Sequence, residues 1–242
     1  MTFFWFKHLG DFQLTQVLGV SDKDYYAKGK LREIYQSVFM IHKVIIVHHE
    51  TSLPVFEKNL VNSKSLESSM ITSILQAISS IGQEMLGLPT GFKKLEFHGF
   101  VITGVYNDGF SIYVFSETEL VKEIVQGMHD FIKWFSHTFC SLKKDWDGSL
   151  NVYKMSKNII NAKISQNLFL WLLYPLEVSK NQYLDTSKLS LVAKYILKCI
   201  EMKSSCTVAV IFDEFNEHEE EKILFEIFNL AIEGYLKTGV DD

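Results

Sequence analysis

The chain has 242 residues, 47% of them hydrophobic, enough to bury one large core or two small ones. Its net charge of −5, with 22% charged residues, gives no compositional support to a nucleic-acid groove lined by surplus Lys and Arg. Three cysteines, Cys140, Cys199 and Cys206, are too few and too poorly spaced for a disulfide framework or a zinc site, which points to a reducing, cytoplasmic setting.

Residues 1–39 read as an N-terminal extension. Met1 to Phe6 is apolar but lacks a basic leader and is interrupted by Lys7-His8, so no targeting signal is read. Phe3, Phe4, Trp5 and Phe6 either cover an open apolar face or present a segment to a partner or to a membrane surface. No apolar run reaches the roughly 18 residues that a membrane-spanning helix needs. Short extended pieces are expected around Gly10-Asp11. From Asp22 to Met40 the positions Tyr25, Tyr26, Leu31, Ile34, Tyr35 and Val38 fall near helical spacing, although Gly29 weakens a helix there.

Ile41 to His48 carries Val44, Ile45, Ile46 and Val47 in succession, the pattern of a strand covered on both faces. After the polar connection His49-Glu50-Thr51-Ser52, Leu53 to Phe56 reads as a second strand, held to a sheet edge because Pro54 has no ladder donor. Met70, Ile74, Leu75, Ile78, Ile81 and Met85 recur at the helical period, predicting an amphipathic helix over 66–85 between a Ser65 cap and the Gly87-Pro89 stop. Three strands are then expected at 95–97, 100–106 and 110–115, separated by a His98-Gly99 turn and by Asn107-Asp108-Gly109. Ser116 and Glu119 have capping-box spacing, and Val121, Ile124, Val125, Met128, Phe131, Ile132, Phe135 and Phe139 form one helical stripe ending near Leu142.

In the C-terminal part, Ile159 to Leu173 is dense in apolar residues and reads as a helix ending before Pro175. Leu184 to Ser187 offers caps for another, carrying Leu189, Leu191, Val192, Tyr195, Ile196 and Ile200. Cys206 to Phe212 reads as a buried strand. A last helix is expected from Asn216, with Ile223, Leu224, Ile227, Phe228 and Ala231 inward and its acidic first turn favoured by the helix dipole.

The order strand, strand, helix, three strands, helix over residues 40–148 resembles the longin and roadblock families. That resemblance implies an α+β fold, a five-stranded antiparallel sheet with packed helices, with the first and last strands central and the second at an edge. Residues 1–39 and 149–242 would be α/β extensions, the latter a helical α+β region packed on the core. Unlike a usual longin domain, this chain has about 40 residues before its first strand.

His48-His49-Glu50 is a poor metal site because adjacent strand residues point to opposite faces. His137 and Cys140 lie one helical turn apart, without an orienting group or oxyanion donors. The acidic run 213–221 lacks the spacing of a calcium loop, and no phosphate-binding glycine motif occurs. No enzyme, metal or cofactor is therefore expected. The resemblance implies a non-catalytic interaction module, a regulator or scaffold for a small GTPase in membrane trafficking, or a partner of another longin- or roadblock-like chain as homo- or heterodimer. The alternative is an enzyme or small-molecule binder with a pocket on the α+β core. For the partner contact, the small or uncharged outward positions of the 66–85 helix, Ser69, Thr72, Ser73, Gln76, Ser80 and Gln83, are the candidates.

Overall fold

The computed structural model describes residues 25–51, 53–60, 94–97, 99–140, 148–179 and 185–238. The helix expected over 66–85 and the aromatic segment Phe3–Phe6 lie outside them. The chain divides into two compact units, one spanning Phe39–Leu168 and the other formed by residues 1–38 and 169–242.

The first unit is α+β, with an antiparallel five-stranded sheet in the order β2-β1-β5-β4-β3. Its strands are β1 (Ile41–His48), β2 (Pro54–Asn59), β3 (Lys94–Phe97), β4 (Phe100–Asn107) and β5 (Phe110–Ser116). β1 is buried almost throughout, as its apolar run requires of an interior strand. β2 is an edge strand, and Pro54 is its first residue. There the β1–β2 register shifts between Ile46 and Val47, a bulge that accommodates the missing amide donor. Asp108 and Gly109 have φ of 41° and 89°, and Asn107 faces Phe110, so β4 and β5 are joined by a turn with two left-handed residues.

Side chains alternate across the sheet. On one face Ile45, Val47, Ile102 and Tyr113 cluster, with Leu95, Phe100 and Phe115 packed against them. Phe110, Ile112 and Val114 point to the other face, where Phe110 meets Phe135 of helix α2 (Lys122–Thr138) edge-on at 5.1 Å. On α2 the stripe Ile124, Met128, Phe131, Ile132 and Phe135 is buried, as its spacing predicts. The helix starts later than expected and without the capping box: Val121 is its N-cap and makes no side-chain cap bond. Ser116 is still held in β5, its hydroxyl donating to the Thr118 carbonyl at 2.7 Å, and Glu119 pairs with Lys94 at 2.9 Å. At the other end of α2 the Ser136 hydroxyl lies 2.7 Å from the Asn107 carbonyl, pinning the helix to the β4–β5 turn.

The stretch expected as one helix from Ile159 is split. It falls in α4 (Lys157–Asn167), which follows a short α3 (Asn151–Met155), and, in the second unit, in a 3-10 turn over Leu170–Leu173. Ile159 is exposed, while Ile160, Ile164 and Leu168 are buried. Tyr153 of α3 is buried, stacked on Phe135 and tilted against Phe139. Burial pushes its phenol up to about 12. The folded protein therefore keeps a proton that the unfolded chain releases near pH 10, so stability is full below pH 10 and falls as pH rises through about 12. Urea titrations at pH 8 and pH 11 should show Tyr153→Phe losing less stability than the parent; equal losses would place the phenol in water.

In the second unit, β6 (Leu176–Val178) and β7 (Leu236–Thr238) form a two-stranded antiparallel sheet. Around it lie α1 (Tyr25–Phe39, its last residue counted with the first unit), α5 (Leu191–Lys203), α6 (Val208–Glu214) and α7 (Glu220–Ile232). The strand expected over Cys206–Phe212 is instead α6. Cys206 alone bridges Leu176, and Thr207 then caps the helix, its hydroxyl accepting from the Val210 amide at 3.4 Å. A short apolar run fits either element, and the cap decides between them. α7 begins at Glu220 rather than Asn216, with Ile223, Leu224, Ile227, Phe228 and Ala231 buried as expected. α1 buries Leu31, Ile34 and Val38, and the Tyr35 ring meets Phe212 edge-on at 5.4 Å.

Candidate functional site

The six residues proposed from sequence for partner contact, Ser69, Thr72, Ser73, Gln76, Ser80 and Gln83, lie outside the described residues. The described adhesive features of the sheet unit are its two edges. On β2, Val55 and Phe56 are buried, while Glu57 reaches across to Lys43 at 3.1 Å and Lys58 reaches Asn161 of α4 at 3.3 Å. Charged side chains and a leading proline are the usual means of blunting an edge against indiscriminate strand addition. The other edge, β3, is only four residues long and carries Lys94 paired with Glu96 at 2.6 Å.

The residues with chemical potential do not converge. His48 is buried, its Nδ1 3.0 Å from the Thr51 hydroxyl and its ring edge-on to Phe110. His49 packs separately on Tyr106 at 5.0 Å. Cys140 and His137 are both exposed at the end of α2. Along the acidic run, Glu220 and Glu221 pair with Arg32 at 3.5 and 3.0 Å, and Glu214 pairs with Lys203 at 2.6 Å. Among the described residues no three of His, Cys, Asp and Glu gather closely enough to hold a metal ion. All three cysteines are free. Burial, and next the neighbouring Cys199, push the Cys206 thiol up to about 11, so it stays protonated at neutral pH and is a poor nucleophile.

A groove of about 440 Å³ lies in the second unit, lined by Asp185, Lys188, Ser190, Glu226, Asn229, Glu233 and Tyr235 among others. Most of its polar groups are committed to the fold. Ser190 caps α5, accepting from the Ala193 amide at 3.0 Å and donating to Glu226 at 2.7 Å. Tyr235 donates to the Asp185 carbonyl at 2.8 Å. The Asp185 carboxylate accepts from the Ser187 amide at 3.0 Å, and its bonds to Ser187 hold it below the usual carboxylate range.

Exposed apolar side chains are what the sequence reading missed. Val152, Met155 and Ile159 lie in the open on α3 and α4. Leu191 and Tyr195 are outward on α5 together with Met202, and Ala193, Ile196, Leu197 and Ile200 form its buried face. Helical periodicity identifies a stripe but cannot choose between two apolar stripes on one helix. Among the described residues no helix is long and apolar enough to cross a membrane. No protein-family model matches the chain, and no curated protein matches it in sequence.

Proposed function

We propose that the chain is a non-catalytic protein-interaction module of longin or roadblock type that regulates or scaffolds a small GTPase in membrane trafficking, in the cytoplasm. The observation that supports this reading is the strand order β2-β1-β5-β4-β3, with first and last strands adjacent inside the sheet and the second at its edge. That is the order the resemblance implies, and a fold alone leaves function open. The dispersal of His48, His49, Cys140 and the acidic run into packing, solvent and ion pairs argues in the same direction. No cofactor is required by this reading.

The test is capture from cell extract on the immobilised full chain, followed by mass spectrometry, with purified small GTPases loaded with GDP or a GTP analogue as direct probes. Retention of a GTPase in one nucleotide state is the expected result; turnover of a small molecule without any protein partner would overturn the proposal. On the surface read from sequence, Ser73→Arg with Ser80→Arg should abolish capture while leaving the circular dichroism unchanged. A folded double variant that captures as the parent does would remove that helix face from the contact. The second reading, a small-molecule binder, draws on the groove beside Ser190 and Tyr235. Because its polar groups already serve caps and turns, we rank it behind the interaction module.

A further inference from the structure

We propose that α5 is a self-association surface, pairing antiparallel with α5 of a second copy of this chain about a two-fold axis. The outward side of α5 carries Leu191, Tyr195, Lys198 and Met202, spaced four, three and four residues apart. At 100° per residue these fall within about 60° of one another and opposite the buried Ala193, Ile196, Leu197 and Ile200. Leu191 is 67% exposed, Tyr195 51% and Met202 78%, so an apolar stripe faces solvent along the whole helix. Isolated exposed apolar residues are ordinary; three in register on one helix, spaced as a coiled-coil seam, are a contact pattern.

The spacing 4-3-4 reads the same in both directions, and this selects the occupant. When the helix is laid against its own copy in reverse, Leu191 meets Met202 of the second copy, and Tyr195 meets Lys198 of the second copy. Each position thus contacts its counterpart twice, which is the requirement of an isologous interface. Leu191 and Met202 bury apolar surface at both ends of the seam. Lys198 can lay its stem along the seam and its ammonium over the Tyr195 ring. The flanks are complementary too. Lys194 and Glu201, seven residues apart, lie on one side of the stripe, and an antiparallel two-fold brings like flank against like flank. Lys194 of each copy then faces Glu201 of the other, twice per dimer. In the single chain the Lys194 ammonium donates to the exposed Ser187 carbonyl at 3.2 Å. A parallel pairing would instead set Lys198 against Lys198, and an anionic membrane would leave Glu201 repelled at its surface.

α5 has 13 residues, so the seam is about 20 Å long. Its contact strip is smaller than the roughly 800 Å² per partner of a standard stable interface, so the dimer is weak. This inference concerns the unit outside the five-stranded sheet and does not depend on a GTPase or any other partner.

Sedimentation equilibrium of the full chain over a concentration series reads it directly. The parent should pass from monomer to dimer, and Lys194→Glu and Glu201→Lys should each weaken self-association by about tenfold, since each replaces two ion pairs with two repulsions. Mixed in equal amounts, the two variants should recover a dimer near the parent's affinity, because each then meets its opposite charge at both flanks. Circular dichroism checks that both variants fold. A parent that stays monomeric throughout overturns the proposal, including the case where it binds phosphatidylserine vesicles or another protein through this face. So do single variants that associate as the parent does, and so does a mixture no tighter than its components.

Discussion

Ile45→Asp is expected to abolish the native fold. Ile45 is fully buried in β1, a strand with hydrogen-bonded neighbours on both sides, and its side chain sits among Val47, Ile102 and Tyr113. An ionised carboxylate there loses its hydration and gains no dedicated partner. Lys43, two residues before Ile45 on the same strand, already has its ammonium held by Glu57 at 3.1 Å. Burying such a charge unpaired costs about 4 kcal/mol or more, a large share of the roughly 5 to 15 kcal/mol by which a domain is stable. Ile45→Val, which removes one methylene and keeps the β-branched shape, should cost only about 0.5 to 1.5 kcal/mol. Thermal unfolding followed by circular dichroism separates the two: no cooperative transition for the Asp variant, a slightly lowered midpoint for Val. An Asp variant melting where the parent does would mean that β1 is not an interior strand.

Where the signals are local, the sequence predicts the structure well. Val44 to Val47 can be satisfied only inside a sheet, Pro54 only at its edge, and Asp108-Gly109 only in a turn that tolerates positive φ; all three are found so. Misreadings cluster where two local solutions compete. Thr207 to Phe212 suits a strand by composition and a helix by its cap, and the cap prevails because Thr207 satisfies an otherwise orphaned amide. Ser116 and Glu119 have the spacing of a capping box, but Ser116 is still paired to Ile41 and Val101 in the sheet, so the chain turns before α2 can start. Candidate contacts were less legible. α5 is apolar on two sides, and which side is covered depends on packing against elements far away in sequence, so Leu191 and Tyr195 could not be told from Ala193 and Leu197 by spacing alone.

Gly127 shows the same limit most sharply, and substituting it should reverse the sign of a familiar rule. Within an exposed helix, replacing glycine by alanine normally stabilises by up to about 1 kcal/mol, because the unfolded chain loses conformational freedom. Gly29 in α1 meets those conditions: a Cβ there would find no atom within 4 Å, so Gly29→Ala should stabilise by about 0.5 to 1 kcal/mol. Gly127 sits in the middle of α2, where α4 comes to its end. A Cβ on it would lie 2.8 Å from the Asn167 carbonyl carbon and closer still to the oxygen, both backbone atoms. That backbone cannot easily retreat. Asn167 is largely buried, its side-chain amide donates to the Lys163 carbonyl at 2.8 Å, and the next amide, Leu168, bonds Ile164 at 2.9 Å. Gly127→Ala must therefore push the end of α4 off α2. Overpacking of this kind costs about 1 to 3 kcal/mol, and against the backbone of a capped helix end the upper part of that range is expected. Urea midpoints measured side by side should move in opposite directions, up for Gly29→Ala and down for Gly127→Ala. If Gly127→Ala also moved up, α2 and α4 could not approach as closely as their backbones do here.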